Sequence, residues 1–232
     1  MSTPDRWVRG GLVPILHVII ETVAAKGDVQ MGDFMQTLKV QRWDDHRYYH
    51  HSLVNQSLHL FSAMTFLLMW FVMFWDPAIA AMIGWIVSMS SRQIGHFLFE
   101  PKGYDVVNDA PHKYKESVKV GYNLRRKVVL HLIWALSPLP LYFQPTFFGM
   151  VRPWESGWEF FHQLGMCWLF IGAAGVILRS VQLFFIRDLQ TGLVWAIKIL
   201  TDPFHDIKLY YKAPYRLMRG EIDDRMVLGH SH

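Results

Sequence analysis

Tyr49-His50-His51-Ser52-Leu53-Val54-Asn55-Gln56-Ser57-Leu58-His59 opens an apolar run that reaches Trp75, interrupted from Phe61 onward only by the small Ser62 and Thr65. A helix rises about 1.5 Å per residue, so about 20 apolar residues cross the ~30 Å hydrocarbon layer of a bilayer. Leu53 to Trp75 is therefore expected to span a membrane. Asp76-Pro77 makes a tight stop, and Ala78 to Phe99 returns at once as a second span. That return ends in Gln93-Ile94-Gly95-His96-Phe97-Leu98-Phe99-Glu100, so histidine, Asn and Gln sit at the lip of both apolar runs. A polar group there must find a partner or cost free energy.

Beyond this hairpin, Val128 to Phe143 predicts a third span, which Pro138 and Pro140 should kink or end near Ser137. A fourth runs from about Phe161 to Ile186, and its Gly172-Ala173-Ala174-Gly175 segment offers a small-residue face for close helix packing. Thr191 to Leu200 is too short to span and reads as interfacial, and the tail from Asp202 is polar, aromatic and basic. Upstream, Leu12, Ile15, Leu16, Ile19, Ile20 and Val23 recur at helical spacing, which fits an amphipathic helix on the membrane surface. His17 and Glu21 within it argue against a cleavable signal peptide. Short helices are expected at Met31 to Leu38 and within Tyr114 to Lys127.

The fold class expected is all-α. It is a polytopic membrane protein with one domain over 1–232: an interfacial segment 1–52, a four-helix core 53–186 and a tail 187–232. Lys and Arg crowd the segment before the first span, the loop from Arg92 to Lys127 and the tail, whereas the Asp76-Pro77 turn has none and the loop from Gln144 to Phe160 has only Arg152. Basic loops stay in the cytoplasm, so both termini are expected there.

Composition excludes several functions. The single Cys167 rules out an intrachain disulfide framework, a Cys-rich zinc site and a cysteine-held iron–sulfur cluster. A net charge of +4, dispersed along the chain, does not argue for nucleic acid. The apolar fraction of 52% is clustered in the spans, so a lipid bilayer is the expected partner. Oligomeric state is not encoded in any motif.

With four alternating spans, His59, His96, His131 and Arg179 fall in one layer near the cytoplasmic face, and His50, His51 and His112 flank it. Ionisable groups at such depth face the bundle interior and mark function. His51, Asn55 and His59 follow one another at i+4 on one helical face, whereas His50 is turned about 100° away unless the helix begins after it. Neutral imidazole suits iron, zinc and copper, and three or four histidines with a nearby carboxylate suit a non-haem iron centre that binds oxygen.

Tyr49-His50-His51, Asn55, Leu58-His59, then Gln93-Ile94-Gly95-His96 and Phe99-Glu100, resembles the membrane 2-hydroxy fatty acid dioxygenase family of fatty acid α-oxidation, over about residues 48–101. The resemblance implies Fe(II), dioxygen as co-substrate and a 2-hydroxy acyl chain shortened by one carbon. It implies His50, His59 and His96 as metal ligands and places Glu100 among the catalytic residues. Asn55 and Glu100 match positions that orient ligands. For a fourth ligand His112 is favoured, because its loop lies beside the Glu100 end of the second span, with His51 and His131 as rivals. His131 fits equally a role behind the ligands. Arg179 or Lys102 is expected to hold the substrate's anionic head. Two other readings fit the same histidines: a di-iron membrane lipid hydroxylase or desaturase, and a non-enzymatic protein that binds haem or transports a metal or protons.

Overall fold

Over residues 31–146, 148–149 and 151–225, which the structure describes, the computed structural model is helical, with two isolated β-bridges and no strand. The expected helix over Leu12 to Val23 lies outside the described residues. In order, the helices are α1 (Met31–Tyr49), α2 (Leu53–Met73), α3 (77–99), α4 (His112–Val118), α5 (Leu124–Leu136), α6 (Pro138–Phe143), α7 (Gly157–Ile186), α8 (Leu189–Tyr210) and α9 (Ala213–Met218). Ser52, Asp76, Asn123, Ser156 and Asp188 each accept a backbone N–H at the start of α2, α3, α5, α7 and α8. Such caps contribute about 1 kcal/mol apiece.

α3 is composite. Pro77–Met82 and Ser90–Ile94 are α-helical, while Ile83–Met89 and Gly95–Phe99 are π-helical. A π turn widens the helix and changes the carbonyl pairing of the α ladder. The Ser88 carbonyl accepts Ser62 Oγ at 2.7 Å and Ser91 Oγ at 2.9 Å, and Ser88 Oγ donates to Thr65 Oγ1 at 2.7 Å. Ser62 and Thr65, the polar interruptions of the first apolar run, thus join α2 to α3.

At the Asp76 end, α7 crosses α3 so closely that a Cβ on Gly165 would collide with the Ala78 carbonyl. Gly172 and Gly175, where close packing was expected, instead meet the side chains of Trp85 and Leu130 at 3.6 and 3.8 Å from such a Cβ. Ala81, Trp85, Leu141, Leu164 and Trp168 form the apolar core here. Its indoles are satisfied, Trp85 Nε1 by the Trp168 carbonyl at 2.9 Å and Trp168 Nε1 by Ser137 Oγ at 2.8 Å. α5 ends at Leu136, and α6 restarts at Pro138, whose missing N–H suits a first helical position.

Among the described residues, two helices, α2 and α7, are each long and apolar enough to cross a membrane. Only 22% of the most apolar window of each is buried, so most of its surface faces outward, unlike the core helix of a soluble protein. α3 is divided by its π turns, and α5 is 13 residues long, so neither meets that criterion as one helix. Two expectations change at the ends. Met31 to Leu38 is the start of a 19-residue helix. Thr191 to Leu200 belongs to a 22-residue helix that runs on to Tyr210 and carries buried Lys198, Asp202, Asp206 and Tyr210. The tail from Asp202 is therefore packed structure, drawn in by partners that local pattern does not reveal.

Candidate metal centre

α1 ends at Tyr49 and α2 begins at Leu53, which leaves His50 and His51 in the turn between them. That turn is held from several sides. Asn55 Nδ2 donates to the Tyr49 carbonyl and Gln56 Nε2 to the His50 carbonyl, both at 2.8 Å. Leu53 N–H donates to the Ile222 carbonyl and Asp224 N–H to the His51 carbonyl, also at 2.8 Å, forming a bridge between Ser52 and Asp223. The two adjacent histidines then point apart. His50 turns inward onto α2, whereas His51 Nε2 meets the Arg47 carbonyl and lies 3.7 Å from Asp105 Oδ2.

His59 projects from α2 and is fully buried. His96 comes from the second π turn of α3, next to Gly95, which packs so tightly on Asn55 that a Cβ there would strike its Oδ1. That contact brings α3 onto the ring-bearing face of α2. His50, His59 and His96 converge: their ligand nitrogens all lie within 4.8 Å of one another. His50 Nε2 and His59 Nε2 are 3.1 Å apart, and the ring centroids stand at 4.1 Å (His50–His59), 4.9 Å (His59–His96) and 5.4 Å (His50–His96).

Carboxylates stand behind two of the rings. Glu100 Oε2 accepts His96 Nδ1–H at 2.7 Å, and its Oε1 takes Lys119 Nζ at 3.0 Å. An imidazole protonated at Nδ1 keeps its lone pair on Nε2. On the other side, Asp206 Oδ2 is 3.7 Å from His59 Nδ1 and 3.1 Å from Arg92 Nη1. Arg92, Arg42 and Lys198 interleave there with Asp45, Asp202 and Asp206. Three cations against three carboxylates leave the cluster neutral, which is the condition for burying it at tolerable cost.

Burial, reinforced by the neighbouring His59, holds His50 well below the ordinary histidine range, so its ring is neutral at pH 7. Burial alone would raise Asp45, but Lys198 outweighs it and the carboxylate stays ionised. Lys198 is raised in turn, because Asp202 and Asp45 more than offset its burial. Asp206 is raised, burial outweighing Arg92 and Lys198. The Tyr210 ring lies 5.8 Å from His50 and 6.2 Å from His59, with its hydroxyl 3.2 Å from His46 Nδ1. A cleft lined by Arg42, Asp45, His46, Arg92, Asp202 and Tyr210 opens onto His50.

The other expected site residues do not join the trio. His112 is exposed at the start of α4, because the loop before it is folded on itself by the Asp105–Ala110 bridge. His51 is drawn to that same loop. His131 donates Nδ1–H to the Lys127 carbonyl at 2.7 Å and packs among Trp85, Phe97 and Trp134. Arg179 is committed to backbone: Nη2 donates to the Val120 carbonyl at 2.6 Å and Nη1 to Gln182 Oε1 at 2.6 Å, so its fork is occupied. Lys102 is exposed. Asn55 touches no ligand ring by hydrogen bond, and acts on the turn and on Gly95. Sequence reasoning missed Asp206, Arg92 and Tyr210. The signal was present as Lys198, Asp202, Asp206 and Tyr210 at successive i+4 steps, one polar stripe on one helix face. Compared with known proteins, the chain matches no family model, no curated protein and no solved structure.

Proposed function

We propose that this protein is a membrane-embedded non-haem iron oxygenase acting on a lipid-like substrate, with Fe(II) held by His50, His59 and His96. The observation that carries the reading is the 3.1 Å approach of two buried Nε2 atoms, with the third imidazole beside them. Ligands bound at about 2.0–2.1 Å, at angles from square to tetrahedral, stand about 2.9 to 3.4 Å apart. The Glu100 bond fixes His96 with its Nε2 free to coordinate. The likeness of the His50-to-Glu100 pattern to the 2-hydroxy fatty acid dioxygenases favours iron and a 2-hydroxy acyl substrate. Fe(II) in that trio would supply dioxygen binding and electron transfer to it.

The chain's own part is to hold the three rings, keep them neutral and exclude bulk water. Substrate reaches them from the bilayer. In support, apolar side chains stand exposed along α2 (Phe61, Met64, Leu68, Phe71), along α5 and α6 (Val128, Leu132, Leu136, Leu139) and along α7 (Phe170, Ile177, Phe185). On this reading α2, α3, the α5–α6 pair and α7 all cross the membrane, with both termini in the cytoplasm. Among the described residues three histidines converge, too few to ligate two ions, which favours one iron over a di-iron centre.

Elemental analysis of the purified protein in detergent tests the proposal. The expected result is about one iron per chain, lost in both His59→Ala and His96→Ala, with no Soret band and with dioxygen uptake on addition of a 2-hydroxy fatty acid. Full metal occupancy in both variants overturns it, and a Soret band assigns the histidines to haem instead.

A further inference from the structure

The trio lacks an account of how His59 is oriented. His96 has Glu100, but His59 Nδ1 is buried with no hydrogen-bond partner, and so is Asp206 Oδ2, the atom it faces. The separation of 3.7 Å is about half an ångström beyond an ordinary N–H···O bond. Arg92 Nη1 stands 3.1 Å from that same oxygen, an ion pair that keeps the carboxylate in place beside the ring.

The geometry points to Asp206 as a positioning residue for His59: its carboxylate accepts the Nδ1–H of that ring and so directs the Nε2 lone pair at the ion. This rests on the metal centre proposed above. Asp206 is not itself a fourth ligand, because it lies on the Nδ1 side of the ring, opposite the Nε2 that meets His50. An imidazole whose Nε2 lone pair is engaged would be a stronger Nδ1–H donor, so Asp206 would hold the His59 ring most firmly when the site is loaded. The site then has matched supports, Glu100 behind His96 and Asp206 behind His59. The second comes from α8, 147 residues (206 − 59) beyond the histidine it supports, which makes α8 part of the site.

Asp206 also pairs with Arg92, so the test must separate orientation from packing. The probe is Co(II), added to metal-free full-length protein in detergent micelles and followed by its visible d–d bands. Asp206→Asn is expected to weaken binding about 10- to 100-fold and to shift the bands, and Asp206→Glu to recover most of the affinity. Asp202→Asn removes a buried carboxylate one turn away that binds Arg42 and Lys198 and lies 3.9 Å from the same Arg92 but meets no histidine, so it disturbs the surrounding packing without touching the ring and is expected to leave the bands in place. Equal affinity in Asp206→Asn and the parent overturns the inference and leaves the metal centre standing. An equal loss in Asp202→Asn also overturns it, by assigning the effect to packing. No Co(II) binding by the parent overturns the centre and the inference together. Should Asp206→Asn not fold, ¹⁵N spectra of the metal-free parent decide: a His59 ring protonated on Nδ1 is expected, and one protonated on Nε2 overturns the inference.

Discussion

The two ends of this helix bundle are built on different physics. At one end Trp85, Leu141, Leu164 and Trp168 fill space, and α7 lies against α3 because Gly165 has no side chain. At the other, three imidazoles of His50, His59 and His96 converge, with Glu100 bonded to one and the Arg92–Asp206 ion pair beside another. Packing energy grows with the area and volume filled, and is indifferent to which apolar group fills it. A buried polar network depends on each partner, because removing one leaves the other uncompensated. The apolar end therefore sets how firmly the bundle holds together, and the polar end sets what it can bind.

Variants at each end should break along that line. The largest effect is expected from His59→Ala, which removes a central ring of the trio and should abolish metal retention while the helix content measured by circular dichroism persists. Trp85→Ala should do the reverse, costing about 3–5 kcal/mol of stability while metal stoichiometry holds. If metal is lost in step with melting in both variants, the two ends are not separable. Glu100→Gln keeps the shape but loses the charge behind His96, and should weaken metal affinity about 10- to 100-fold in a competition titration.

Acid sharpens the comparison further. Burial and the neighbouring His59 hold His50 below its ordinary value of 6.5, so below that pH the unfolded chain binds a proton that the folded chain refuses. The melting temperature of the metal-free protein should accordingly fall between pH 7.5 and 5.5, and an unchanged value would count against a neutral buried His50. The smallest effect is expected at the apolar end, where Asp76→Ala removes the cap that accepts Ala78 and Ile79 N–H at 2.9 and 3.0 Å. About 1 kcal/mol, seen as a few degrees of melting temperature, is the expected cost.

The apolar end was the more legible in sequence. Long apolar runs, the Asp76-Pro77 stop and the break before Pro138 follow from composition and from proline's missing N–H. At the polar end, the i+4 spacing of Asn55 and His59 and the helical placement of His96 could be read locally. Which of His50 and His51 turned inward could not, because it depends on where α2 begins, and a contact from residues 222–224 helps to set that. The stripe from Lys198 to Tyr210 was equally visible as a pattern, but a polar face looks the same whether water or Arg42, Arg92 and Asp45 cover it. Arg179 misled for the same reason. Its depth was readable, but the carbonyls of Val120 and Gly121 that occupy it are a property of the folded loop.

The bridge between Ser52 and Asp223 ties the histidine-bearing turn to a segment far along the sequence, beyond α9. A chain cut after α7 would leave the His50 turn without the Ile222 carbonyl and Asp224 N–H that close it, and His59 without α8 beside it, so the histidine end of the bundle is assembled from both halves of the sequence.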